Sequence, residues 1–94
     1  MDTTNNRAKF QLGRLTATPG VLEQVSRSEL FAAIKRHQCG DWGDVSERDR
    51  QANDDAFRNG GRILSAYRSS EDVTFWIITE ESRSYTTVLL PSEY

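Results

Sequence analysis

The sequence predicts an α+β domain: an antiparallel sheet of three to four strands packed by two to three helices, in the order β-α-α-β-β-β. Three observations predict it. Residues 62–90 alternate apolar and polar side chains and are rich in β-branched and aromatic residues, which is strand signal. Residues 18–59 carry three helix-start signatures in succession. A short alternating run, Phe10 to Ala17, precedes the helices and supplies a first strand. A run of helices followed by a run of strands gives an α+β layer arrangement.

Each element has a local cause. In Phe10 to Ala17, Phe10 and Leu12 lie on one face and Gln11, Gly13 and Leu15 on the other. Thr18-Pro19-Gly20 opens a short helical turn ending near Val25, with Thr18 as N-cap and Pro19 in the first helical position. Ser26-Arg27-Ser28-Glu29 reads as a capping box, and the helix behind it runs to about Gln38. Leu30, Phe31, Ile34 and His37 share one face of that helix. Gly40 ends it as a left-handed cap. Ser46 caps a third helix through Asp49, with Ala52, Ala56 and Phe57 as its apolar stripe. Asn59-Gly60-Gly61 stops this helix. Strands follow at Arg62 to Arg68, Val73 to Thr79 and Tyr85 to Leu90, separated by turns at 69–72 and 80–84. Residues 1–9 read as a flexible tail and 10–94 as one domain.

Composition narrows the function classes. The mean hydropathy is low, −0.67, yet four Phe, three Tyr and two Trp supply enough large apolar surface for one core. A net charge of −2 lacks the basic footprint of non-specific nucleic-acid binding. Charge is unevenly placed. Residues 41–55 hold six acids (Asp41, Asp44, Glu47, Asp49, Asp54, Asp55) against Arg48 and Arg50. Residues 7–14 hold Arg7, Lys9 and Arg14 with no acid. Such polarity suits a charged protein partner; acids at a helix start also answer the helix dipole. A single cysteine excludes an internal disulfide and fits a reducing, cytoplasmic setting. No apolar run approaches membrane-span length, so no membrane partner is expected.

No cofactor is expected either. There is no phosphate-binding glycine loop, dinucleotide fingerprint or zinc-ligand set. His37 and Cys39 alone are too few for zinc. Asp41, Asp44 and Asp49 do not follow the spacing of a calcium loop, so no metal is assigned.

The densest chemistry lies in Arg36-His37-Gln38-Cys39-Gly40-Asp41-Trp42-Gly43-Asp44. It holds the only histidine, the only cysteine and one of two tryptophans. Trp42 between two residues of a turn is either a core anchor or an exposed hot spot for a partner. In the second case Asp41, Trp42, Asp44 and Asp49 form a partner contact. Asn53, one helical turn from Asp49, joins them beside the apolar stripe. A different reading is catalytic. His37 would act as general base or acid, Arg62 or Arg83 as phosphate clamp, and Tyr67 and Thr86 as supporting donors in a metal-independent ribonuclease. Against this, His37 at a helix C-terminus interacts favourably with the dipole there, and Thr and Arg on strands ordinarily pair across the sheet.

Two resemblances bear on these readings. One is carried by Leu12-Gly13 to Thr18-Pro19-Gly20, by Arg36-His37 to Gly40-Asp41-Trp42-Gly43-Asp44, and by Asp49 and Asn53. It continues through Arg62, Ser65-Ala66-Tyr67, Ile77-Ile78-Thr79-Glu80, Arg83, Thr86-Thr87 and Leu89-Leu90-Pro91-Ser92-Glu93-Tyr94. In these residues the chain resembles a family of short bacterial accessory proteins carried on plasmids, integrative elements and phages. The resemblance implies a mobile-element setting and brings no activity with it. The other is topological: the element order is similar to that of the RelE and barnase-like ribonucleases, whose surfaces are far more basic than this one. The expected function is a small non-enzymatic binding protein of a mobile element, docking on a host protein or protein–nucleic-acid complex as an anti-CRISPR or anti-restriction inhibitor. The alternatives are the ribonuclease and a structural homodimer.

Overall fold

The computed structural model describes residues 8–94. Strand β1 (Arg14–Ala17) is followed by helices α1 (Pro19–Gln24), α2 (Arg27–Gln38) and α3 (Glu47–Asn59), then by strands β2 (Ile63–Arg68), β3 (Thr74–Thr79) and β4 (Tyr85–Leu89), with a closing 3-10 turn at Pro91–Glu93. The fold is α+β, with four strands in the order β1-β4-β3-β2. The sheet is mixed rather than antiparallel. β2, β3 and β4 form an antiparallel meander, but β1 pairs with β4 in parallel. The helices return the chain so that β1 reaches the far edge in the same direction as β4. Parallel pairing requires a long crossover, and residues 18–84 provide it.

The caps behave as their sequences dictate. Thr18, Ser26 and Ser46 accept the backbone N–H of Val21, Glu29 and Asp49. The capping box at Ser26 is only half formed. Glu29 does not reach back to its own helix but accepts the Ser70 N–H at 2.9 Å, tying α2 to the β2–β3 turn. β1 begins four residues later than Phe10. Gly13 ends the run because its backbone takes φ +66°, and any side chain there would collide with the Ser84 carbonyl. Of the expected tail, residues 1–7 lie outside the described residues. Lys9 is held, its N–H donating to the Gln38 carbonyl at 2.8 Å.

One face of the sheet carries the helices. Ile63, Ser65 and Tyr67 of β2, Phe75, Ile77 and Thr79 of β3, and Thr86 and Val88 of β4 all point into it and are buried. The core has two parts. Val21, Val25, Leu30, Ala33, Phe75, Ile77 and Val88 fill the larger one, and Trp42, Ala56 and Ile63, with Phe10 and Val45, fill the smaller. On α2 the expected face splits. Leu30 and His37 are buried with Ala33, Ile34 is half-buried, and Phe31 points outward. On α3 the buried residues are Asn53 and Ala56, while Ala52 and Phe57 are exposed. On the opposite sheet face the exposed Tyr94 ring meets Trp76 edge-on at 5.7 Å.

Candidate functional site

His37 sits between the two apolar clusters and is completely buried. The last turn of α2 lays its ring across three strands, each of which supplies a small hydroxyl residue beneath it. Nδ1 meets the Ser65 hydroxyl. Nε2 lies 2.8 Å from Thr79 Oγ1, which lies 2.8 Å from Thr86 Oγ1. Thr86 Oγ1 lies 2.8 Å from the Leu12 carbonyl oxygen. The direction of this string follows from its end. A carbonyl only accepts, so Thr86 donates to Leu12. Thr79 must then donate to Thr86, and His37 Nε2–H to Thr79. A neutral ring leaves Nδ1 free to accept from Ser65. Burial, reinforced by the positive charge of Arg83, lowers the His37 pKa to about 3 and keeps the ring neutral. The string is therefore complete, with every member paired.

The proposed catalytic residues do not converge. His37 and Thr86 share the buried string, but Tyr67 donates its hydroxyl to the Asp41 carbonyl at 2.7 Å. Burial raises the Tyr67 pKa, so it stays a donor. Arg62 lies at the start of β2 and donates to the Tyr94 hydroxyl at 2.7 Å. Arg83 spends its guanidinium on backbone carbonyls: Gly61 at 2.6 Å, Ala56 at 3.0 Å and Glu80 at 3.0 Å. It pins the β3–β4 turn to the C-terminal end of α3, where a cation is favoured. Among the described residues, the clefts beside β1, Trp42 and Tyr67 have none of His37, Ser65, Thr79 or Thr86 in their walls. Both ring nitrogens of the buried imidazole are taken up by hydroxyl partners. The string ties the end of α2 to β2, β3 and β4.

The Trp42 corner is also built inward. Trp42 is 3% exposed, so it is no exposed anchor. Its ring packs against Phe10 and His37, and Nε1–H donates to Asp54 at 2.9 Å. The corner closes the β2 edge of the sheet. Ala66 N–H donates to the Trp42 carbonyl at 3.1 Å, and Asp44 N–H donates to the Ala66 carbonyl at 2.7 Å. Asn53 continues this closure and is buried. Its side-chain amide copies a strand neighbour, donating to the Leu64 carbonyl at 2.8 Å and accepting the Leu64 N–H at 3.1 Å. Asn53 thus pairs with an edge strand and does not share a site with Asp49. Asp41, Asp44 and Asp49 are exposed. Asp41 holds Arg36 at 2.7 Å, and that guanidinium, donating to it, keeps its carboxyl below the usual carboxylate range. Asp49 lies in the first turn of α3, where the dipole favours an acid. Among the described residues no group of three or more His, Cys, Asp or Glu side chains comes together as a cation site.

The surface feature that the residue pattern concealed is at the opposite edge of the sheet. Leu15 (41% exposed), Leu22 (48%) and Phe31 (64%) surround a cleft of about 160 Å³ between β1, α1 and α2, with Leu30 and Ile34 in its wall. β1 is the outermost strand here. Arg14 and Thr18 donate their N–H groups toward β4, to Ser84 and Val88. Strand alternation then turns the N–H and C=O of Leu15 and Ala17 outward, and nothing bonds them among the described residues. The sequence signal was available: Phe31 at helical spacing from Arg27 and Lys35, on a stripe whose other members are charged. It was masked because Phe31 also fits the Leu30–Ile34 face.

No protein-family profile, curated protein or solved structure matches the chain. No helix of the described residues is long and apolar enough to cross a membrane.

Proposed function

We propose that this chain is a non-enzymatic binding protein that acts by docking on a partner protein. The observation that carries the proposal is the exposed apolar cluster of Leu15, Leu22 and Phe31 around a cleft beside a strand edge that no other described residue pairs with. Large apolar side chains grouped at one edge mark contact surfaces, whereas scattered ones do not. The burial and saturation of the His37 string supports the same reading, since it removes the imidazole from solution chemistry. The resemblance to mobile-element accessory proteins makes a host defence complex, CRISPR or restriction machinery, the class of target. The contact surface in this proposal is the β1 edge and not the Trp42 corner.

The test is capture of the tagged chain on immobilised resin from bacterial lysate carrying such systems, with Phe31→Asp as comparison and titration of the purified partner as readout. A stoichiometric partner whose titration saturates with the original chain and is lost with Phe31→Asp is the expected result. Equal binding by both chains would refute this surface. Cleavage of RNA by the original chain but not by His37→Ala would refute the non-enzymatic reading altogether.

A further inference from the structure

We infer that the β1 edge takes up an extended segment of a partner protein as a fifth strand, and that this segment is apolar at alternate positions and acidic at its flanks. The inference rests on the docking reading above and adds to it the mode of binding and the chemistry of the partner.

Three observations carry it. First, the two edges of the sheet are treated differently. The β2 edge is closed by the Trp42 and Asp44 backbone and by the Asn53 amide. The β1 edge presents the N–H and C=O of Leu15 and Ala17 without partners among the described residues. An open edge is a template for one more strand. Second, the cleft lies where such a strand would send every second side chain. Leu15 and Ala17 are in register with Thr86 and Val88, so they share the helix-bearing face on which Leu22, Phe31 and Ile34 also lie. At about 160 Å³ the cleft is smaller than the several hundred Å³ usual for a small-molecule pocket and suits a single side chain. Third, the rim is basic on a protein whose net charge is −2. Arg27 and Lys35 stand one helical turn on either side of Phe31, and Arg27 lines the cleft. Both are exposed and make no ion pair among the described residues, whereas of the acids at this edge Glu23 stands on α1 and Glu93 is already held by the Thr18 hydroxyl and the Gly20 N–H.

The same rim decides between a foreign segment and a second copy. Antiparallel pairing of β1 with its own copy would set α2 beside α2 on one face of a continuous sheet. It would bring the Arg27–Phe31–Lys35 stripes together, and like charges so placed oppose association. An acid-flanked strand meets the same stripe with complementary charge.

The probe is a fluorescein-labelled peptide, Asp-Glu-Val-Thr-Ile-Thr-Val-Glu-Asp, compared with the same core flanked by lysines, titrated with the full chain by fluorescence anisotropy. The acid-flanked peptide is expected to bind saturably and at least about tenfold more tightly than the lysine-flanked one. Binding should slow hydrogen exchange at the Leu15 and Ala17 amides. Ala17→Pro removes an outward N–H and leaves the β4 pairing intact, so it should weaken binding by about tenfold or more while the melting temperature holds. Arg27→Glu, an exposed substitution, should invert the preference between the two peptides. Equal binding of both peptides, or no effect of Ala17→Pro on a peptide that binds, would overturn the inference. No peptide binding together with a concentration-dependent dimer that Phe31→Asp dissolves would overturn it in favour of a second copy. A captured partner that needs Phe31 but tolerates Ala17→Pro would sink strand addition and leave the docking reading standing.

Discussion

Acid should loosen this fold through one imidazole. His37 has a pKa near 3 in the folded chain against 6.5 for an ordinary histidine. Between those values the unfolded chain takes up a proton that the folded chain refuses. The stability due to the neutral ring is therefore present in full above pH 6.5 and is lost progressively as pH falls toward 3. Each tenfold difference in proton affinity is worth about 1.4 kcal/mol, so the whole effect approaches about 5 kcal/mol. About 2 kcal/mol is gone by pH 5 and about 3 kcal/mol by pH 4.5, a large part of the ~5–15 kcal/mol that holds a typical domain together. Asp41 and Glu93, whose pKa values are lowered by their hydrogen bonds to Arg36 and Thr18, lose their contributions at lower pH, as each is protonated below its ordinary 3.8 or 4.5. The interval from pH 6.5 to 4.5 thus reports chiefly on His37. Urea unfolding followed by tryptophan fluorescence at several pH values measures the slope. Because the chain has one histidine, its ring resonances in an NMR titration are unambiguous and should stay fixed in the folded protein down to about pH 4. A ring that titrates near 6.5 while the chain remains folded, or an unfolding free energy that stays flat from pH 7 to 4.5, would refute the reasoning.

Other perturbations test the remaining ties. Trp42→Ala should cost about 3–5 kcal/mol in urea unfolding, the range for emptying a buried aromatic site; a loss under about 1 kcal/mol would return Trp42 to the surface. Asn53→Ala strands the Leu64 N–H and C=O on the sheet edge and should cost about 2 kcal/mol, with faster hydrogen exchange at the Leu64 amide. Gly43→Ala places a methyl group 2.1 Å from the Ala66 carbonyl oxygen at φ +74°, so β2 must give up its pairing with the corner. A loss of about 3 kcal/mol or more is expected by the same unfolding measurement. Ser46→Ala removes the cap of α3 and should cost about 1 kcal/mol, read as a lowered melting temperature.

The helix starts were legible because their causes are local. Thr18, Ser26 and Ser46 each satisfy an N–H three residues on, whatever the rest of the chain does. Glu29 shows where locality ends. Its spacing allowed a reciprocal cap, and the nearby Ser70 N–H offered a better partner. Phe31 and Asn53 show the same limit for burial. A helix pattern gives the direction in which a side chain points, not whether another element comes to cover it. Phe31 fitted the buried stripe and is bare, while Asn53, expected to join Asp49 in a partner contact, is buried against Leu64.

Residue order alone determined the α+β class, the sequence of elements and the ends of the helices, since these depend on caps, glycines and alternation over a few residues. It also determined that the only imidazole would stand at the C-terminal end of the second helix. The tertiary structure decided the rest: the parallel seat of β1, the burial of the Trp42 corner against β2, the three hydroxyls gathered under His37, and the open edge with its apolar cleft. Each joins residues far apart in the chain. Leu12 and Thr86 are 74 positions apart, and His37 and Thr79 are 42 apart. Pairings of that span are selected by the packing of whole elements, because only the assembled sheet and helices bring the groups within hydrogen-bonding reach and exclude the water that would otherwise satisfy them.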